Sequence, residues 1–385
     1  MRKLILATLL QSCFTLIAAK YVDWNTYKAN GVNLGGWLCQ ESTIDTAWWA
    51  KYSKGATDEW NLCVKQGSQC GPILERRYAT FITHADIDKL AGAGVNTLRI
   101  PTTYAAWIKV PGSQYYTGHQ VAYLHDIATY AITRHGMHII IDIHSLPGGV
   151  NGMDIGEAFG HYSWFHNQTA LDYSLKVIDA VLAYVQLSGR PESYTISPIN
   201  EPADVKDMSV FGTPAALSDD GATWVVKYIR SVIDKVHSVD PKIPIMFQGS
   251  FHPETYWSHY FPKHTNMVFD VHRYYFEGRG ATGQNITSYI CSDAEDAAGD
   301  GKFPVYIGEW SIQAELNNTF ADREIALNTG LYAFAKHTQG SSYWTAKFFS
   351  NATVNGQGTK GDYWNYMTWV EKDMIHPQQA VDVCA

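Results

Sequence analysis

Charged residues are scarce: Asp, Glu, Lys and Arg make up 17% of the 385 residues, and 29 basic against 37 acidic side chains leave a net charge of −8. No Lys/Arg run could neutralise a row of phosphates, which excludes nucleic acid as the partner. After residue 19 no apolar stretch reaches the roughly 18 residues a spanning helix needs, so no membrane partner is expected. Neither Cys-x-x-Cys nor His-Glu-x-x-His spacing occurs, leaving zinc without a ligand set. Gly-x-Ser-x-Gly and P-loop motifs are also missing, so serine-hydrolase and NTPase chemistry have no anchor. Gly278-Arg279-Gly280-Ala281-Thr282-Gly283 fits the dinucleotide pattern but lies far along the chain, directly before the Asn285 sequon, and reads as a surface loop.

What is abundant is apolar (46%) and aromatic (14%): 13 Trp, 24 Tyr and 15 Phe are enough to fill a large core and still line a binding surface. Residues 1–19 read as a secretory signal peptide, with Arg2 and Lys3 ahead of the apolar run Leu4 to Ile17 and the small pair Ala18-Ala19 at its end. A secreted, monomeric protein is expected, with residues 20–385 forming one domain. Loss of Cys13 with the leader leaves Cys39, Cys63, Cys70, Cys291 and Cys384, an odd set with at least one unpaired thiol. Cys63 and Cys70 flank a short segment and can close a local disulfide, while the other pairing stays open. Sequons stand at Asn167, Asn285, Asn317 and Asn351.

Short β-branched and aromatic runs bounded by turn residues recur at regular intervals: Gly31–Trp37, Thr97–Pro101, His138–His144, Tyr194–Pro202, Ile243–Gly249, Met267–Tyr274, Pro304–Trp310 and Ser341–Phe348. Helical patterns lie between several of them, at Ala85–Ala93, Tyr123–His135, Leu171–Leu187 and Thr223–Val239. Gly71 to Ala91, rich in both charge signs, reads as a helix with a solvated face. Strands alternating with helices imply parallel pairing, and eight such units close into an α/β fold of the (β/α)8 TIM-barrel type with extended loops. Polar residues gather at the C-terminal ends of these apolar runs: Arg99, His144, Asn200 and Glu201, His272 and Tyr274, and Glu309, with Trp344 within the eighth run. In a barrel those ends converge on one face. Glu201 and Glu309, on the fourth and seventh runs, can then face each other across the mouth. Two carboxyls so placed suit glycoside hydrolysis, one donating a proton to the leaving oxygen while the other attacks the anomeric carbon.

The segments Ile199-Asn200-Glu201-Pro202 and Ile307-Gly308-Glu309-Trp310 resemble glycoside hydrolase family 5, a retaining (β/α)8 family. Gly31-Val32-Asn33-Leu34-Gly35-Gly36-Trp37-Leu38, Asn96-Thr97-Leu98-Arg99-Ile100-Pro101 and His144-Ser145-Leu146-Pro147-Gly148-Gly149 are similar to its fungal branch of exo-β-1,3-glucanases and rutinosidase-type diglycosidases. The resemblance implies that Glu201 is the acid/base and Glu309 the nucleophile. It also implies that Asn200 contacts the sugar 2-hydroxyl, Tyr274 and Arg99 orient the nucleophile, Glu41, His144 and His272 line the glucose subsite, and Trp344 forms its aromatic floor. No metal or cofactor is implied, and the partner is a carbohydrate or glycoside.

Two departures from the exo-glucanase pattern point toward a roomier, more apolar pocket. Met153 and Ile155 stand where that branch has an aromatic residue and an Asn, and Glu277 stands where it has a second aromatic clamp. Such a pocket admits a 6-O-substituted glucose, and the segments around Trp48-Trp49 and Cys63–Cys70 also look more like the diglycosidases. The expected activity is therefore a retaining, exo-acting β-glucosidase of the rutinosidase type. An exo-1,3-β-glucosidase, an endo-β-glucanase and a non-catalytic carbohydrate-binding barrel are the alternatives.

Overall fold

The computed structural model describes residues 20–384, so the leader expected at residues 1–19 lies outside the described residues. Eight parallel strands close on themselves in chain order. They are β1 Ala29–Asn33, β2 Thr97–Thr102, β3 His138–Ile143, β4 Tyr194–Ser197, β5 Ile245–Gln248, β6 Met267–Tyr275, β7 Val305–Ala314 and β8 Gly340–Tyr343, and β8 pairs back onto β1. Each expected run overlaps one of them, and the expected helices form as His84–Gly92, Gln120–His135, Gln168–Leu187 and Asp219–Val239. Helices Ile286–Asp296 and Arg323–His337 follow β6 and β7, whereas the β5–β6 connection holds only the short helix Glu254–Trp257. The chain is a (β/α)8 barrel. No described helix is long and apolar enough to cross a membrane.

Two expectations are corrected. Gly71 to Ala91 is not one helix but parts of two, Cys70–Phe81 and His84–Gly92: Ile82 is extended (φ −114°, ψ 131°), and Thr83 and Asp86 form a capping box that starts the second helix. Trp344 lies one residue past β8 rather than within it. The 278–283 segment is a loop after β6, as expected, with Arg279 paired to Asp293.

Alternate strand residues face the barrel interior. Ile140 joins Met246, Val268, Tyr306 and Trp24 in a small inner cluster, while its neighbours Ile139 and Ile141 belong to the main core. Trp24 Nε1 donates to Thr195 Oγ1 at 3.0 Å and its ring meets Tyr306 at 5.2 Å, so residues ahead of β1 seal the N-terminal end. One step further along the same inward rows the residues become polar: Asp142 after Ile140, Gln248 after Met246, Asp270 after Val268. Strand β7 breaks the alternation. Ile307 pairs with Ser341 and Trp310 with Tyr343, so β7 carries one extra residue there, and its register with β6 shifts at the same point. This bulge turns Glu309 inward, although alternation from Tyr306 would point it out. Gly308 permits the bulge, because a Cβ at that position would lie 1.9 Å from Asp270 Oδ1.

Disulfides link Cys63 to Cys70 and Cys291 to Cys384, leaving Cys39 free and buried. The first ties helix Glu59–Gln66 to helix Cys70–Phe81. Glu59 is 1% exposed, and its Oε2 accepts from the Gln40 amide at 2.7 Å, which pins the backbone beside Glu41. Burial pushes the Glu59 carboxyl up to about 8.

Two outcomes follow from this packing. Gly308→Ala, which overpacks the barrel interior, should cost about 1–3 kcal/mol of stability and most of the turnover, read as denaturation midpoint and kcat on one sample. For Glu59, the unfolded carboxyl loses its proton near the ordinary 4.5 and the folded one near 8, so its contribution falls as pH rises through that window. Glu59→Gln keeps the Gln40 contact and should flatten that fall by up to about 1.4 kcal/mol per pH unit, measured by denaturant titration at a series of pH values.

Candidate active site

Arg99, in the middle of β2, has no solvent exposure and reaches across the barrel. Its Nη1 donates to Glu309 Oε1 at 2.7 Å and to Asn33 Oδ1 at 3.0 Å, and its Nη2 donates to Asn200 Oδ1 at 2.8 Å. Asp142 Oδ1 lies 3.2 Å from Nη2, and Asp270 Oδ2 lies 3.7 Å from Nε. Burial alone would lower the Arg99 pKa, but Asp142, Glu309 and Asp270 raise it further than burial lowers it, so the guanidinium stays charged.

Glu309 also accepts from Tyr274 Oη at 2.8 Å. Burial raises its pKa and Glu201 adds to that, while His272 and Arg99 oppose the rise. Tyr274, pushed well up by burial and the Glu309 charge, remains a neutral donor. Glu201 follows β4 with φ 43°, in the left-handed region, and its amide donates to Gln248 Oε1 at 2.9 Å. Its own Oε1 meets His272 Nδ1 at 2.7 Å, and the same nitrogen lies 3.5 Å from Glu309 Oε2. Burial would lower the His272 pKa, but Glu309, Asp270 and Glu201 push it up to about 10. One carboxylate oxygen of Glu201 and one of Glu309 lie within 4.8 Å of each other, both within that distance of His272.

His144 Nδ1 meets Asp142 Oδ2 at 2.6 Å, Asn200 Nδ2 lies 3.4 Å from His144 Nε2, and the His144 ring stacks on Trp344 with centroids 5.6 Å apart and planes at 13°. Trp344 has room because residue 35 is Gly, whose Cβ would stand 2.9 Å from Trp344 Cζ2. Glu41 is half-buried, and its Oε1 is buried without a hydrogen-bond partner. Burial, then the charges of Asp154, Glu309 and Glu201, raise the Glu41 pKa well up, so it belongs to the same acidic field.

The nine candidate residues thus come together, seven of them through direct contacts around Arg99, Glu201 and Glu309, Trp344 through His144, and Glu41 through the shared field. Sequence reading missed Asn33, Asp142, Gln248 and Asp270, each on an inward row of its strand. It also missed Asp154, 8% exposed, whose carboxyl burial and Asp58 push up to about 6. Met153 and Ile155 are half-buried on either side of it, so the segment carries an acid as well as apolar side chains. After Tyr274, the exposed Glu277 is preceded by Phe276, which packs on Tyr274 at 5.5 Å and on Trp364 at 5.4 Å. Among the described residues, Glu201, His272 and Glu309 are the one group close enough to ligate a cation. The Arg99 guanidinium 2.7 Å from Glu309 and the raised His272 imidazole already supply positive charge there and oppose a further cation.

Residues 64–350 match the family model for cellulase, glycosyl hydrolase family 5. The crystal structure of rutinosidase from Aspergillus niger is 59% identical and superposes with a TM-score of 0.92, covering 93% of this chain and 100% of that one. That of a protein designated AoRut is 64% identical, with a TM-score of 0.92 and coverage of 94% and 100%. A probable glucan 1,3-beta-glucosidase A from Aspergillus niger is 29% identical over 298 residues, 76% of this chain and 67% of that protein. The barrel with its facing carboxyl groups is a glycoside hydrolase, and the chain belongs to glycosyl hydrolase family 5.

Proposed function

We propose that this protein is a secreted, retaining, exo-acting β-glucosidase that releases a 6-O-substituted glucose, of the rutinose kind, from a glycoside. Residues 1–19 would be its leader and residues 20–385 its catalytic domain. The observation that carries the retaining mechanism is the approach of the Glu201 and Glu309 oxygens to within 4.8 Å. Retaining pairs stand about 5–5.5 Å apart and inverting pairs about 6.5–9.5 Å, the latter leaving room for water. The substrate class is supported by the 59% identity to rutinosidase across nearly the whole of both chains.

In this reading Glu309 attacks the anomeric carbon while Glu201 delivers its proton to the glycosidic oxygen. The aglycone leaves as a neutral alcohol, and the sugar stays esterified to Glu309. Glu201, now a carboxylate, takes a proton from water as that water attacks the anomeric carbon, which frees Glu309 and restores the acid. Arg99 and Tyr274 each hold one oxygen of the nucleophile, fixing its plane. His272 hydrogen-bonds Glu201 Oε1 and holds that carboxyl in place. Asn200, oriented by Arg99, faces the 2-hydroxyl, and Trp344 supports the pyranose face. The chemistry needs no cofactor, since nucleophile, acid and base are all carboxyl groups.

Glu309→Ala should reduce turnover of an aryl β-glucoside by at least about 10⁴-fold, and azide should rescue it with an α-glycosyl azide product; retained activity would remove the nucleophile assignment. Glu201→Ala should spare leaving groups that need no protonation, so loss of equal size on activated and poor leaving groups would exclude the acid role. Rutin, laminarin and a cello-oligosaccharide digested side by side separate the substrate readings. Rutinose from rutin is expected; glucose from laminarin alone would point to an exo-1,3-glucosidase, and internal oligomers to an endo-acting enzyme.

A further inference from the structure

In the segment that follows the site along the chain, burial alternates from Phe348 to Asn351, and Ala352 and Thr353 are both exposed. Phe348 is 4% exposed and stacks on Trp364, Phe349 is 46% exposed, Ser350 is 3% exposed, and Asn351 is exposed. The backbone is extended and pinned on both sides. Phe349 N donates to Ile44 O at 2.6 Å, Thr46 N donates to Phe349 O at 3.2 Å, Gly361 N donates to Ser350 O at 3.2 Å, and Lys360 N donates to Ala352 O at 2.7 Å. An antiparallel bridge joins Thr353 to Thr359. In extended chain, residues two apart share a face, so Phe349, Asn351 and Thr353 line the outer one. Phe349 touches Phe81 only edge-on, with centroids 6.2 Å apart and planes at 87°, which leaves much of an aromatic ring in water.

Asn351, like Asn317, makes no side-chain hydrogen bond among the described residues, whereas Asn167 and Asn285 do. The Asn167 amide is engaged at both ends, accepting from Ala170 N at 3.1 Å and donating to Ser163 O at 3.0 Å, and Asn285 accepts from Thr282 N at 2.7 Å. Asn317 is exposed but has φ 51°, in the left-handed region.

We propose that Asn351 carries an N-linked glycan whose first N-acetylglucosamine lies on the Phe349 ring. This rests on the secretory route proposed above. The bond forms between Asn351 Nδ2 and the anomeric carbon of an oligosaccharide supplied by a lipid-linked diphosphate donor; the amide gives up a proton and the lipid diphosphate leaves. Thr353 supplies the hydroxyl the sequon requires, on the same face as the acceptor amide. The axial C–H bonds of the pyranose meet the aromatic face two residues before it, and the sugar covers apolar surface that a lone protein would otherwise leave exposed.

The test uses protein secreted by a glycosylating fungal host, digested to peptides after enzymatic release of N-glycans in heavy-oxygen water. The Asn351 peptide is expected as labelled Asp. A secreted chain with Asn351 unlabelled overturns the proposal and leaves the secretion reading intact; failure of the full chain to be exported overturns both. The stacking is tested separately by Asn351→Gln, which should lower Tm by about 1–2 °C against the glycosylated parent. The same substitution on a Phe349→Ala background should produce almost no change, and an equal drop in both backgrounds would remove the Phe349 contact from the proposal. Neither residue belongs to the active site, so glycosidase activity should be unchanged.

Discussion

A guanidinium sealed inside the barrel is the constraint on which the site depends. Arg99 is the one fixed cation among Asp142, Asp270 and Glu309, and it also grips Asn33 and Asn200. Desolvating it is costly, and only several carboxylates with good geometry offset that cost. Removing one partner of such a buried group typically costs about 3–5 kcal/mol. Lysine cannot substitute, because a point charge has no planar fork to hold the oxygens of Glu309, Asn33 and Asn200 at once. The arrangement references both catalytic candidates to one atom group: Glu309 directly, and Glu201 through the Asn200 that precedes it.

The same cluster has more acids than bases. Asp142, Asp270 and Glu309 contact a single arginine, Glu41, Asp154 and Glu201 make no contact with it, and part of the excess negative charge is relieved by a retained proton. His272 holds it, pushed up to about 10 by its carboxylate neighbours. Asp142 goes the other way: burial would raise it, but Arg99 and His144 hold it below the ordinary carboxylate range. Glu41 and Asp154, away from the arginine, rise instead. Glu41, with one oxygen buried and unpartnered, and Asp154 bring carboxyl groups to this side of the site. The segment read as apolar from Met153 and Ile155 thus carries an acid between its two apolar residues.

How much was legible in the sequence follows from what each signal depends on. Apolar runs with polar ends depend only on strand burial, and all eight strands, both carboxylates and Arg99 could be read from them. Asp142 and Asp270 were equally readable in principle, since each sits two residues beyond an inward apolar residue, but one apolar run does not say which of its two faces is inside. Only partner strands in register decide that. Glu309 shows the reverse difficulty. Counting by twos from Tyr306 places it on the wrong face, and the correction comes from a bulge whose only trace is Gly308, beside the Asp270 carboxylate. The break at Ile82–Thr83 was written as Thr-x-x-Asp, a capping box hidden inside a charge-rich stretch that otherwise reads as one helix. Asp154 lies on a loop whose path is set by distant contacts, such as Gly148 N and Tyr104 Oη to Glu157 Oε1, so no local pattern marks it.

The two carboxyl groups are also held in different ways, and the difference suits their work. Glu309 stands on a strand, clamped at both oxygens, as the nucleophile role proposed for it requires if its lone pair is to meet one carbon along one line. Glu201 stands just past a strand end in a left-handed backbone conformation that costs about 1–2 kcal/mol for a residue with a Cβ. Gln248 sustains it, accepting from the Glu201 amide at 2.9 Å and from the Ser250 amide at 3.0 Å. Ser250 and Phe251 are themselves left-handed, with φ 51° and 60°. Strain at the ends of β4 and β5 is therefore tied to one buried acceptor, so neither end relaxes without breaking a hydrogen bond that water cannot replace. An acid/base group must reach a leaving oxygen in one step and a water in the next, and only one Glu201 oxygen is engaged by His272. The single contact leaves the other Glu201 oxygen free for the two proton transfers proposed for it.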